Sequence, residues 1–229
     1  MTTHLKDFSA PEDSGAGQKM THLLTHSSKI YKNYFKRLFD IAFVLLTAPI
    51  ALPLIALMAL IVARDGKSPF YWQPRVGRNG NVFRMLKIRT MVPNAEARLE
   101  EHLEKNQDAR AEWESTQKLK DDPRITAAGN IMRKSSLDEL PQLWNVLCGD
   151  MSVIGPRPMM VDQKPLYPGS AYYALRPGIT GPWQVSDRNN CTFAERAKFD
   201  TEYSKKLSLK TDIIILVQTV GVVLKCTGY

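Results

Sequence analysis

From Ile41 to Ala63 the chain carries no charged side chain, and Thr47 is the only clearly polar residue of the run. About 20 apolar residues are enough to cross a bilayer as a helix, so this segment limits the fold more than any other. Pro49 and Pro53 fall inside it. Each lacks a backbone N–H and clashes with the preceding turn, which predicts a bend or break. Lys29, Lys32, Lys36 and Arg37 precede the segment, and Arg64, Lys67, Arg75 and Arg78 follow it. Basic flanks stay on the cytoplasmic side of a membrane, and a straight span satisfies only one of the two. A helix–break–helix that enters and leaves through one leaflet satisfies both and is the expected arrangement. A kinked single span and a buried core helix stay open as alternatives.

Just upstream, Tyr31, Tyr34, Phe35, Leu38 and Phe39 recur at the spacing of one helix face, with the four cations off it. That is the pattern of a helix lying in a membrane interface, or of one docked on a protein core. Lys36 and Arg37, at the mouth of the hairpin, are expected to contact lipid head groups. Residues 1–28 are polar and turn-rich, without the apolar stretch of a secretory signal, and read as a disordered tail.

Lys and Arg number 31 against 23 Asp and Glu, a net charge of +8. The excess calls for anionic partners. Because the cations cluster beside the apolar segment, an anionic lipid surface fits better than nucleic acid. Cys148, Cys191 and Cys226 are odd in number and widely spaced, which argues against a disulfide framework and fits a reducing compartment. Only His102 lies beyond the first 26 residues, so a histidine metal site or a Ser-His-Asp triad is not expected. Any chemistry must run on carboxylates, Lys and Arg.

Phe70–Arg75 and Val82–Arg89 flank Asn79-Gly80 and read as a β-hairpin, with Phe83, Met85, Lys87 and Arg89 on one face. Asn94 is the expected N-cap of a polar helix through about Leu119, and a second helix should run from Ser136 to Leu147. Asp212–Leu224 is apolar but too short to span, so a packed or interfacial helix is expected. The fold class is therefore α+β and mainly helical: a re-entrant membrane hairpin plus a cytosolic α/β domain with a small β-hairpin. The domain plan is 1–28 tail, 29–64 interfacial and re-entrant membrane helix, 65–229 cytosolic catalytic domain.

The chemistry concentrates at Ser136-Leu137-Asp138-Glu139-Leu140-Pro141-Gln142. Ser136 and Glu139 have capping-box spacing, which leaves Asp138 free in a first turn that favours an ionised carboxylate. Arg133 and Lys134 lie just before the pair, Arg157 and Arg176 in Gly- and Pro-rich loops after it, Arg188 later still, and Lys87 and Arg89 earlier. Two acids ringed by fixed cations suit a Mg²⁺ ion and a polyphosphate together. No P-loop spacing is present.

With these residues in view, the chain resembles the monotopic phosphoglycosyl transferases, bacterial sugar transferases that start exopolysaccharide and O-antigen assembly. The resemblance is carried by Lys36-Arg37-Leu38-Phe39-Asp40, Gln73-Pro74-Arg75-Val76-Gly77-Arg78-Asn79-Gly80 and Lys87-Ile88-Arg89-Thr90-Met91. Asp122-Pro123-Arg124-Ile125-Thr126, Ser136–Leu147, Gly149–Pro158 and Arg176–Gly181 complete it. It implies a bacterial inner-membrane enzyme with a cytosolic site, a UDP-hexose donor and a polyprenyl (undecaprenyl) phosphate acceptor. Asp138 would attack the β-phosphorus, expel UMP and pass the phosphosugar to the lipid, with galactose favoured over glucose. Glu139, beside Asp138, would be the principal Mg²⁺ ligand. Lys87, Arg133, Arg157 and Arg188 occupy phosphate and donor positions, and Asp212 aligns with a further acid. Leu52-Pro53 stands where the family often has Ser-Pro, and Asp187 where it usually has Gly. A non-catalytic membrane scaffold is the competing reading, and a homodimer is left open.

Overall fold

The computed structural model describes residues 30–116, 119–186 and 192–224. The expected tail, Asp187, Arg188, Cys191 and Cys226 lie outside them. The described chain is mainly helical with two small sheets. A π-helical turn, Tyr31–Phe35, runs directly into α1, Lys36–Val62, and a 3-10 turn follows. The aromatic stripe thus continues into the apolar segment rather than forming a separate helix. Tyr31 is buried and Phe39 packs on the core, while Tyr34, Phe35 and Leu38 face outward.

Neither proline ends α1. The expected break is not an interruption of the helix, although Pro49 and Pro53 cannot donate to the carbonyls four residues back. Thr47 Oγ1 donates to Phe43 O at 2.8 Å in the turn before Pro49. Most of α1 is exposed, and among the described residues it is the one helix long and apolar enough to cross a membrane. Its buried apolar positions are Val44, Ala51 and Met58, two turns apart. Val44 and Ala51 belong to the main core, whereas Met58 packs with Ile88 and Met132.

Strands β1, Phe70–Val76, and β2, Val82–Ile88, pair antiparallel through the Gly77–Asn81 turn, where Asn79 and Gly80 take positive φ. The outer edge of β2 is completed by a side chain. Asn145 accepts from Leu86 N at 2.9 Å and donates to Arg84 O at 2.7 Å, standing in for a third strand.

The expected polar helix is two: α2, Ala95–Lys105, and α3, Gln107–Thr116. Asn106 between them is extended, and its side chain accepts from Ala109 N at 3.0 Å, capping the second helix. Asn94 makes no such bond. Helix α4, Ala127–Ser135, begins at Thr126, whose hydroxyl accepts from Gly129 N.

A short α5, Gln142–Cys148, is followed by β3, Ser152–Ile154, and β4, Gly178–Thr180, which pair in parallel. A Cβ on Gly178 would lie 2.1 Å from Gly155 N, so the two Gly-Pro loops meet backbone to backbone. Helices α6, Arg196–Lys206, and α7, Leu209–Leu224, close the described chain. As expected of a packed or interfacial helix, α7 buries Asp212 and Ile215 and turns Ile213, Ile214, Val217, Val220 and Leu224 outward.

The base of α1 is bolted to this domain by polar contacts. Lys36 Nζ pairs with Asp212 at 2.7 Å, and Tyr31 and Tyr203 hydroxyls donate to the same carboxylate at 2.7 and 2.6 Å. Asp40 accepts from Ser152 Oγ and Val153 N at 2.8 and 2.9 Å. Arg37 donates to Val146 O and Leu147 O, carbonyls in the last turn of α5, the negative end of that helix. Lys36, expected at the lipid head groups, is buried in an ion pair instead, whereas Arg37, expected there too, is half-buried and donates to backbone carbonyls. The far end of α1 is held too, by Arg89, which is paired with Asp65 at 2.7 Å through both terminal nitrogens.

Candidate active site

Asp138 and Glu139 do not sit in the first turn of the expected α-helix. Ser136 adopts a left-handed conformation (φ 57°), ends α4 and turns the chain into a 3-10 turn, Leu137–Glu139, before Pro141 starts α5. The expected capping box does not form, because the left-handed backbone points the Ser136 side chain away from a first-turn role. Glu139 instead reaches Lys87 on β2, at 2.7 Å. The two acids thus occupy a corner between α4, α5 and the hairpin.

Their environments differ. Asp138 is buried, 8% exposed, and no other side chain among the described residues donates to it. Burial pushes its carboxyl up to about 6, against the pull of Lys87 and Arg133 and with the help of Glu139. Burial acts on Glu139 in the same direction, but Lys87, Arg157 and Arg75 outweigh it and hold that carboxyl at about 2. One acid is free and desolvated, the other ionised and clamped. Pairs pushed apart in this way mark functional sites.

Both acids line a cavity of about 1090 Å³, and Lys87, Arg133, Arg157 and Arg75 line it with them. Arg133 is steered by Thr90, whose hydroxyl accepts from its Nε at 2.8 Å. Thr90 in turn is fixed by α4: Thr126 N donates to its carbonyl, and a side chain on Gly129 would strike that carbonyl. This explains the Arg-Thr-Met and Asp-Pro-Arg-Ile-Thr motifs as one joint, in which Met91 also bridges Ile125. Asp122 and Arg124 brace it at 2.8 and 2.6 Å. One wall of the cavity comes from α7, through Thr219, Val222 and Val223.

Of the expected site residues, Asp138, Glu139, Lys87, Arg133 and Arg157 meet at this cavity. Arg188 falls outside the described residues. Asp212 does not line the cavity; fully buried under Lys36, Tyr31 and Tyr203, it belongs to the anchor. Arg89 lines the cavity but spends its charge on Asp65. Sequence reasoning missed Arg75 as a site residue. The hairpin register held the signal, since Tyr71 pairs with Lys87 and Arg75 lies on the same face four residues on.

No cluster of three acids, histidines or cysteines that could hold a metal occurs among the described residues. Adjacent Asp138 and Glu139 still fit Mg²⁺, which is commonly bound by one or two carboxylates plus substrate phosphates. Adjacent carboxylates, one buried and one half-buried, with fixed cations around them are equipment suited to phosphoryl transfer.

The chain belongs to the bacterial sugar transferase family, which it matches over residues 31–226. It is 47% identical over 209 residues to the UDP-galactose-lipid carrier transferase of Erwinia amylovora, covering 90% of this chain and 43% of that one. To the undecaprenyl-phosphate galactose phosphotransferase of Salmonella typhimurium it is 47% identical over 203 residues, 88% of this chain and 43% of the relative. The exopolysaccharide production protein ExoY of Rhizobium meliloti is 42% identical over 228 residues, 96% of this chain and 94% of the relative. The chain thus spans less than half the length of the first two and nearly all of the third.

Proposed function

We propose that this protein transfers a hexose 1-phosphate, galactose in preference to glucose, from a UDP-hexose to polyprenyl phosphate at the start of exopolysaccharide assembly. The observation that carries the reading is Asp138: buried, without a side-chain donor among the described residues, and beside a Glu139 already neutralised by Lys87. In the first step an Asp138 carboxylate oxygen attacks the β-phosphorus, the bond to the bridging oxygen breaks, and UMP leaves with that oxygen. In the second, a phosphate oxygen of the lipid attacks the same phosphorus and the bond to Asp138 breaks. Arg133 and Lys87 offset the repulsion between carboxylate and phosphoryl oxygens, and burial keeps water from competing. Mg²⁺, held by Glu139 with Asp138, would neutralise phosphate charge when bound. The names of the relatives, a galactose phosphotransferase and an undecaprenyl-phosphate enzyme among them, support the donor and acceptor classes.

A one-leaflet membrane hairpin, with the site facing the cytosol of a bacterial inner membrane, completes the reading. Contacts at both ends of α1 with the same domain support it: Asp40 with β3 at one end, Met58 and Asp65 beside Ile88 and Arg89 at the other. A tag before Met1 and a tag after Tyr229 should both be reachable from the cytosol, and a protected N-terminus would argue for a full span.

The reaction is tested by supplying purified protein with Mg²⁺, polyprenyl phosphate and UDP-galactose or UDP-glucose, then identifying the nucleotide released. UMP is expected, together with a phosphosugar on the protein when the lipid is withheld, and neither from Asp138→Asn. Release of UDP, or substantial turnover by that variant, would refute the mechanism.

A further inference from the structure

Arg75 and Arg157 reach the cavity that holds Glu139, and Arg196 stands behind them, with the buried Asp200 one turn further along its own helix. Arg75 extends from β1, Arg157 from the loop after β3, and Arg196 opens α6. Among the described residues none of them forms an ion pair. Arg75 donates to Gln73 Oε1 at 2.6 Å, yet its Nε is buried with no partner. Arg196 Nε and Trp183 Nε1 are also buried and unpartnered. Buried donors are nearly always satisfied, so unpartnered ones on neighbouring residues imply a missing acceptor.

The three cations form two layers. Arg75 and Arg157 line the main cavity. Arg196 lies behind, stacked 4.0 Å over the Trp183 ring and 4.9 Å from Phe193, with Arg157 5.7 Å from the same indole. Arg157, Trp183 and Arg196 share a small void of about 10 Å³ on this inner side. Cation–π stacking fixes the Arg196 plane, and repulsion from it favours an Arg157 directed toward the cavity. Burial and the neighbouring Arg157 depress both Arg196 and Arg75, and Asp200 and Glu139 respectively offset this only in part.

The hairpin register sets the cations apart. Lys87, opposite Tyr71, pairs with Glu139 at 2.7 Å and Arg133 is held by Thr90, while Arg75 lies four residues further along β1 from Tyr71. The attacked phosphorus must lie against Asp138, so an anion between Arg75 and Arg157 is displaced from it, where a leaving group would be. We propose that Arg75, paired with Arg157, binds the nucleotide-side phosphate of the donor, and that Arg196 stacked on Trp183 is the positioning residue that holds the pair. This rests on the donor being a UDP-sugar, the reading given above. Arg75 and Arg157 then stabilise the charge that develops on departing UMP.

The test uses the full chain in detergent with Mg²⁺. UMP binding is read by tryptophan fluorescence, with Trp183→Phe assigning the signal, and steady-state KM is measured for UDP-galactose and for polyprenyl phosphate separately. Loss of one charge-assisted contact predicts that Arg75→Gln weakens UMP binding and raises the donor KM, each by about 10-fold or more. The acceptor KM should stay within about twofold, because only the donor carries the nucleotide phosphate. Arg75→Lys, which keeps the charge but loses the fork, should fall between and guards against loss of fold. Arg196→Gln should raise the donor KM with the acceptor KM unmoved, and Arg196→Lys should restore part of it. A rise in the acceptor KM instead, or no change in donor KM and UMP binding in folded variants, would overturn the assignment. Wild-type protein that binds UMP through Arg75 but releases none from either UDP-hexose would leave the subsite standing and refute the proposed reaction.

Discussion

Replacing Lys36 by methionine separates the anchor from the head-group contact that its position in the sequence suggested. The Lys36 side chain is 8% exposed and that of Asp212 fully buried, at 2.7 Å. Removing the ammonium leaves a buried carboxylate with the Tyr31 and Tyr203 hydroxyls as its remaining donors. Breaking a buried pair from one side costs about 3–5 kcal/mol, and two surviving hydrogen bonds place this case near the lower bound. For a chain of this size each kcal/mol moves Tm by about 2–4 °C, so Lys36→Met should unfold about 6–12 °C below wild type. Lys36→Met with Asp212→Asn should recover most of that loss, because the orphaned charge is gone. Thermal unfolding in micelles, followed by circular dichroism, reads the effect. Flotation with vesicles of rising anionic lipid content runs beside it. A Tm fall smaller than about 2 °C, with weakened flotation on anionic vesicles, would refute the anchor and restore the head-group role.

Asn145→Ala exposes the unpaired Leu86 N and Arg84 O at the β2 edge, a cost of about 1–3 kcal/mol for each group, and should lower Tm in the same assay by several degrees. Gly178→Ala pushes a methyl carbon into Gly155 N and should part β3 from β4, seen as poor recovery of folded protein, while Gly221→Ala, which meets nothing, should be tolerated. Asp138→Asn should be more stable than wild type in EDTA at pH 8. The wild-type carboxyl is raised from 3.8 to about 6 on folding, so its contribution is fully present below pH 3.8 and lost as pH rises through 6. The difference amounts to at most about 3 kcal/mol, and equal Tm values for both proteins at pH 8 would count against the burial of that charge.

The elements set by local pattern were legible in the sequence. Asn79-Gly80 announced the hairpin, the uncharged run announced α1, and the adjacent acids with their cations announced the cavity. The losses have physical causes. Ser136 and Glu139 match a capping box, but a tertiary partner, Lys87, takes the glutamate, and spacing alone carries no information about that competition. Lys36 and Arg37 read as head-group contacts because no local signal reveals that Asp212 and the end of α5 will arrive beside them. Asn106 was legible in principle, since Asn within a polar helix is a cap waiting for a break. Asn145, an edge-strand surrogate inside a short helix, was not.

The anchor also has a place in time. Tyr31 and Asp212 stand 181 residues apart in sequence, so the base of α1 is made long before its partner. At about 5–20 residues per second, the ribosome needs roughly 10–40 seconds to deliver Asp212 after Tyr31. Until Ser152 is made Asp40 has no partner, and until Asp212 is made Lys36 has none, so their charges keep that end of the helix in water while the apolar run is already available to the bilayer. Synthesis therefore offers an order of assembly: α1 is seated first, and α7, made much later, locks it in place and finishes one wall of the cavity.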